Sequence, residues 1–298
     1  MQLQANGITL EVEDRGEVQN PALILIRGLG TQLVHWPDNL ISGFVAAGFR
    51  TIVFDNRDVG LSQRYDDAGV PSDAEAIIAA AIRGDQIQSA YALSDMANDV
   101  IGIMDALNIE RAHIFGISMG GAIAQLLALN HADRLLTDTI IMSTCRPLVE
   151  RGAVAELLPK LVAREDASLE AAQDALVAEY GMWGSPGFPA EESYIRTQAT
   201  SAYLRGGPKA AGINRQLLAT MDAPDRRPAL KALTLPCCVI HGLDDTLLPH
   251  ALGAEIAAHI PDSTYHPIKG MGHIITPLLA PEIVRIVSEF VPKPPEQG

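Results

Sequence analysis

Hydrophobic and polar positions fall into short blocks whose period changes along the chain. Residues 8–12 alternate apolar and polar, the period of a strand with one face on the core, and read as an edge strand. Ala22–Ile26 is a continuous apolar run, as in strands buried on both faces of a parallel sheet, and Arg50–Phe54 is a second strand stopped by Asp55. Between them residues 40–47 read as a helix closed by Gly48. Met96, Val100, Ile103 and Leu107 recur at helical spacing, with Ser94 as the capping residue. Residues 113–116 read as the end of a buried strand and 121–130 as three helical turns. Strands at 139–142, 237–241 and 264–268 follow, with helices at 251–259 and 281–290. Strand and helix therefore alternate from Ala22 onward. That predicts an α/β fold: a doubly wound, mainly parallel β-sheet with helices on both faces.

One segment breaks the alternation. From Arg146 to about Leu230 there is no strand pattern. Val154, Leu157, Leu158 and Leu161 fit one helix face, Leu169, Ala172, Leu176 and Tyr180 a second, and Ile213, Leu217, Leu218 and Met221 a third. The expected organisation is a core formed by residues 1–145 and 231–298, interrupted by a helical cap or lid at 146–230.

Composition narrows the function classes. The net charge of −14 over 298 residues repels phosphate backbones, so no nucleic-acid partner is expected. Residues 112–132 lack Asp, Glu, Lys and Arg and are long enough to span a bilayer. They nevertheless carry two histidines, Gln125, Asn130 and three glycines, which fit a buried strand and helix better, so no membrane partner is expected. The N-terminus lacks a basic region followed by an apolar core and does not read as a signal peptide. Cys145, Cys237 and Cys238 form no disulfide framework, which suits a reducing, cytoplasmic setting. There is no C-x-x-C pair, and no metal or cofactor is expected.

The chemistry gathers at Gly116-Ile-Ser118-Met-Gly120-Gly121. A serine between a strand and a helix sits on a sharp turn, and Gly116 and Gly120 leave room that a β-carbon would fill. A serine hydroxyl needs a base, an acid to orient that base, and N–H donors for an oxyanion. Among eight histidines, His273 stands out in Lys269-Gly-Met-Gly-His273, between the last strand and the last helix. The acid is sought just after the strand at 237–241, where Asp244 and Asp245 are adjacent. The oxyanion donors are sought in the backbone of Met119 and of Leu29, the latter inside the turn Arg27-Gly28-Leu29-Gly30.

Together these motifs resemble the α/β-hydrolase superfamily over nearly the whole chain. Gly242-x-x-Asp245-x-x-x-Pro249 is similar to the family's acid loop, and that frame selects Asp245 over Asp244. Asp55-Asn-Arg57-Asp58-Val-Gly60-Leu-Ser62 resembles the family's Asp-x-Arg-Gly-x-Gly-x-Ser loop, with Asp58 where glycine is usual, and Arg27 stands where histidine is common. With Trp36-Pro37-Asp38, the details look closest to bacterial carboxylesterases similar to aclacinomycin methylesterase. The resemblance implies a carboxylesterase with Ser118 as nucleophile, His273 as general base and acid, and Asp245 orienting the histidine. Small to medium apolar esters are the implied substrates. A carbon–carbon bond hydrolase, a cofactor-free perhydrolase and a non-catalytic ligand-binding relative are the alternatives. In the cap, Met182, Trp183, Phe188, Tyr194 and Tyr203 are candidates to line the pocket.

Overall fold

The apolar run 22–26 forms a strand in which every residue is buried, and it lies at the centre of an eight-stranded sheet. The computed structural model of the protein describes residues 1–68, 89–147 and 168–291, with positions 76, 79–80, 83–85 and 161 between them. The strands are β1 (Gln2–Ala5), β2 (Ile8–Arg15), β3 (Ala22–Ile26), β4 (Arg50–Phe54), β5 (Ala112–Ile117), β6 (Leu135–Ile141), β7 (Cys237–Gly242) and β8 (Thr264–Ile268). Their spatial order is β1-β2-β4-β3-β5-β6-β7-β8. From β4 to β8 all neighbours are parallel, while β1–β2 and β2–β4 are antiparallel.

Alternation of side chains along each strand supplies two apolar surfaces. Ile24, Ile26, Ile52, Phe54, Ile114 and Ile140 face α2 (Leu93–Ala106), α3 (Met119–Asn130) and α8 (Ala251–His259). Leu23, Leu25, Val53, Phe115, Ile117 and Ile141 face α1 (Asp38–Ala46) and α9 (Ala280–Phe290). The doubly wound, mainly parallel sheet expected from the pattern is the architecture of the chain.

Three local expectations need correction. Residues 8–12 are not at the edge. They belong to the longer β2, and β1 lies outside it, joined through Asn6 (φ 49°) and Gly7 (φ 76°). An Asn-Gly pair with both residues left-handed is the turn that matches the twist of two antiparallel strands. Ser94 does not cap α2, because the Asp95 carboxylate accepts from the Ala92 amide at 2.9 Å and makes Ala92 the cap, two residues earlier. The strand expected at 139–142 begins at Leu135, where Thr137 and Asp138 interrupt the apolar run but remain buried.

Between β6 and β7 the described chain contains no strand. The helices expected near Leu169 and Ile213 are α4 (Leu169–Trp183) and α6 (Ala210–Met221). Between them lies α5 (Glu192–Leu204), whose buried face includes Gln198 beside Ile195, Ala199 and Ala202, a polar residue that breaks the apolar period. The short α7 (Arg227–Leu230) leads back to β7. Of the helix expected over Val154, Leu157, Leu158 and Leu161, only Leu161 falls within the described residues, in helical conformation.

Candidate active site

Ser118 follows β5 directly and precedes the first residue of α3, with φ 54° and ψ −118°. A left-handed φ on a residue with a side chain costs on the order of 1–3 kcal/mol and persists only where the surroundings enforce it. Here they do. A β-carbon on Gly116 would lie 2.2 Å from the Gly120 carbonyl oxygen, and one on Gly120 would lie 2.2 Å from that of Ile26. The two glycines let the elbow fold onto itself and onto the end of β3. Ser143, after β6, donates its hydroxyl to the Ser118 carbonyl at 2.8 Å and fixes the turn from the other side.

His273 and Asp245 arrive from loops after β8 and β7. His273 Nε2 lies 3.0 Å from Ser118 Oγ, and Nδ1 lies 2.7 Å from Asp245 Oδ2. A carboxylate can only accept, so Nδ1 carries the proton and Nε2 is left to accept from the serine hydroxyl. Asp245 Oδ1 accepts the amides of Leu247 and Leu248 at 2.9 and 2.8 Å, which fixes the carboxylate plane. Burial alone would raise the Asp245 carboxyl. The positive charge that His273 carries when protonated, hydrogen bonds from His241 and His273, and the Leu248 amide outweigh it and hold the carboxyl well below its ordinary range. Asp244 plays a different part. Its carboxylate accepts the Gly270 amide at 2.7 Å and ties the acid loop to the histidine loop.

The turn after β3 approaches the serine closely. A β-carbon on Gly28 would stand 3.2 Å from Ser118 Cβ. Leu29, next in sequence, and Met119 both line the cavity that contains Ser118. Met119 is the first residue of α3, so its N–H has no carbonyl one turn earlier to donate to. The turn is clamped from α6. Gln216 Oε1 accepts the Gly30 amide at 2.8 Å while its Nε2 donates to the Arg57 carbonyl at 2.7 Å. Asp55 holds the next turn, accepting the Leu33 and Leu61 amides and Arg205 from the end of α5.

Asp58 keeps the left-handed backbone of the glycine it replaces, with φ 71°. Its carboxylate is then used to seat α6: Arg215 bonds it through two nitrogens at 2.6 and 2.9 Å, and the Tyr91 hydroxyl donates to it at 2.7 Å. Arg27 lies over the Trp36 ring at 4.5 Å and donates to Thr31.

The expected pocket residues are elsewhere. Among the described residues the cavity is lined chiefly by Leu29, Leu93, Met119, Ala122, Leu217 and Leu248, with Arg226 among its polar members. Met182, Trp183, Phe188, Tyr194 and Tyr203 do not line it. Trp183, the last residue of α4, and Phe188, in the loop before α5, strap down the histidine loop through their backbones. The His273 amide donates to the Trp183 carbonyl at 2.7 Å, and Thr276 donates to that of Phe188 at 2.7 Å. The Phe188 ring packs on the core beneath the sheet, Met182 is exposed, and Tyr194 is bonded to Gln198. The Trp183 and Phe188 backbones and the Phe188 ring join this segment to the core, and the cavity wall is left to α6 and the loops.

Four contributors are not visible in the sequence pattern: His241, Ser143, Gln216 and Arg226. His241 reads as packing from its strand position. Yet its Nε2, which donates to the Leu248 carbonyl at 2.9 Å, also lies 3.3 Å from Asp245 Oδ2. Its place four residues before Asp245, at the end of the same strand, is the available signal. Nothing local marks Gln216 or Arg226, since both act across more than a hundred residues of chain.

A family model described as alpha/beta hydrolase fold matches residues 21–277. Rhodomycin D methylesterase of Streptomyces sp. strain C5 is 26% identical, with 90% of each chain covered. 3-Oxoadipate enol-lactonase 2 of Acinetobacter baylyi is 27% identical, covering 88% of this chain and 85% of the relative. The enol-lactonase structure from Burkholderia xenovorans LB400 superposes with a TM-score of 0.74 at 25% identity, over 97% of this chain and 99% of that one. The matched span runs from the residue before β3 to beyond His273, and so takes in the elbow and both loops that meet it: this chain belongs to the α/β-hydrolase family.

Proposed function

We propose that the protein is a serine carboxylic-ester hydrolase working through an acyl-enzyme. One observation carries the reading: the unbroken line of hydrogen bonds from Ser118 Oγ to His273 to Asp245, at 3.0 and 2.7 Å. His273 Nε2 takes the hydroxyl proton as Oγ bonds to the ester carbonyl carbon, and the carbonyl electron pair moves onto oxygen. The Leu29 and Met119 N–H groups receive that oxyanion. Its collapse breaks the bond to the leaving oxygen, which takes the proton from His273. Water, deprotonated by the same nitrogen, then releases the acid and restores Ser118. Asp245 holds the tautomer and stabilises the imidazolium.

In this reading residues 146–230 act as a cap over the serine, with α6 forming the near wall. The methylesterase and enol-lactonase relatives act, by name, on a methyl ester and an enol lactone, and both are acyl–oxygen cleavages. The experiment is fluorophosphonate labelling with peptide mapping, beside turnover of p-nitrophenyl butyrate. The expected adduct is on Ser118, and Ser118→Ala removes both adduct and turnover. Turnover surviving in Ser118→Ala rules the reading out.

A further inference from the structure

Among the described residues the buried arginines follow a rule that one wall residue of the serine cavity breaks. Arg50, Arg57 and Arg215 are each closed by a carboxylate: Asp14 at 2.6 Å, Asp99 at 2.6 Å and Asp58 at 2.6 Å. Arg226 is 3% exposed and has no carboxylate within ion-pair distance among the described residues. Its three hydrogen bonds all go to neutral acceptors. Nε donates to Gln125 Oε1 at 3.1 Å, and the two terminal nitrogens donate to the Pro224 carbonyl at 3.1 Å and the Thr144 carbonyl at 2.8 Å. Two nearby acids are engaged elsewhere: Asp225 with Arg227 at 2.8 Å, and Glu255 with Arg146 at 2.6 Å.

A guanidinium has five N–H groups, so one on each terminal nitrogen is left over. Burial draws Arg226 down to about 10, against weaker support from Cys145 and Asp225, and leaves it charged at neutral pH. A buried charge without a counter-charge is costly, and an anion entering the same cavity would offset that cost. The group is also held still. Gln125 Nε2 donates to the Gly121 and Thr144 carbonyls, which aims its oxygen at Arg226. Ser118 and Gln125 bracket about two turns of α3, roughly 10 Å along its axis. Arg27, a half-buried guanidinium also without a carboxylate partner among the described residues, lies over Trp36 and does not line the cavity.

We propose that Arg226 is a specificity residue: the apolar cavity beside Ser118 takes esters or lactones bearing a carboxylate a short chain away from the scissile carbonyl. The proposal rests on the hydrolytic reading of Ser118. The test compares the mono-p-nitrophenyl ester of adipic acid with p-nitrophenyl hexanoate, matched in chain length but neutral. The wild type is expected to favour the hemi-ester in kcat/KM by about tenfold or more, the scale of hydrogen bonds to a charged group. Arg226→Gln is expected to lower the hemi-ester value about 10- to 100-fold and the hexanoate value less than threefold, with Arg226→Lys between. Adipate is also expected to raise the melting temperature of the wild type, and hexanoate not. A wild type that prefers hexanoate, or an equal loss on both esters in a folded Arg226→Gln, overturns the proposal. If neither ester turns over and Ser118 takes no label, the hydrolytic reading fails, and adipate binding decides the anion site alone. The wild-type preference and the adipate shift need no variant to fold.

Discussion

At the scale of single residues, two buried carboxylates have opposite fates. Asp245 is surrounded by donors, and its pKa is held down. Asp245→Asn keeps the volume but gives His273 Nδ1 an amide partner, which permits the wrong tautomer. A loss of about 10⁴-fold in kcat with normal folding is expected, read by steady-state kinetics and circular dichroism. Asp138 on β6 has neither carboxylate oxygen hydrogen-bonded, and burial pushes it up to about 8. The folded state therefore holds a proton that the unfolded chain releases near pH 4, and stability is lost as pH rises from there toward 8. Asp138→Asn removes that dependence. The melting temperature of the variant minus that of the wild type is expected to grow from pH 5 to pH 8. A gap that stays constant across this range would contradict a buried, protonated Asp138.

At the scale of elements, the site is a meeting of strand ends, and α6 reaches into it. Gln216 joins the Gly30 amide to the Arg57 carbonyl and so holds the turn that carries Leu29, the proposed oxyanion donor. Gln216→Ala is expected to lower kcat about 10- to 100-fold with KM changed less than threefold, because the oxyanion forms after binding. Loss in KM alone would assign Gln216 to the pocket wall. The elements themselves are largely legible from the chain. Runs such as 22–26 and 50–54 are buried on both sides and carry their own signal, and Ser118, Asp245 and His273 sit in turns whose glycines mark them. What stays illegible is made of long-range polar contacts. α5 hides its period behind Gln198, β1 depends on a two-residue turn, and the cavity wall depends on which face α6 turns inward. The aromatics between β6 and β7 look like pocket residues by composition, whereas the backbones of Trp183 and Phe188 hold the histidine loop.

At the scale of the whole molecule, the segment between β6 and β7 is fastened to the sheet by charge. Arg215 of α6 and Asp58 are both essentially buried, and the pair ties the loop after β4 to the wall of the cavity. Arg215→Met leaves Asp58 buried without its partner and is expected to cost about 3–5 kcal/mol in chemical denaturation. Adding Asp58→Gly is expected to regain most of that, since glycine adopts φ 71° freely and removes the stranded charge. No helix among the described residues is long and apolar enough to cross a membrane. Strand ends, loops and α6 converge on Ser118, the proposed nucleophile, and rapid-quench mass spectrometry of the protein mixed with p-nitrophenyl butyrate shows whether it reacts. A butyryl group is expected on the Ser118 peptide, formed at the rate of the p-nitrophenol burst and absent in Ser118→Ala. Ester turnover with no acyl group on Ser118, or with undiminished rate in Ser118→Ala, would contradict the assignment.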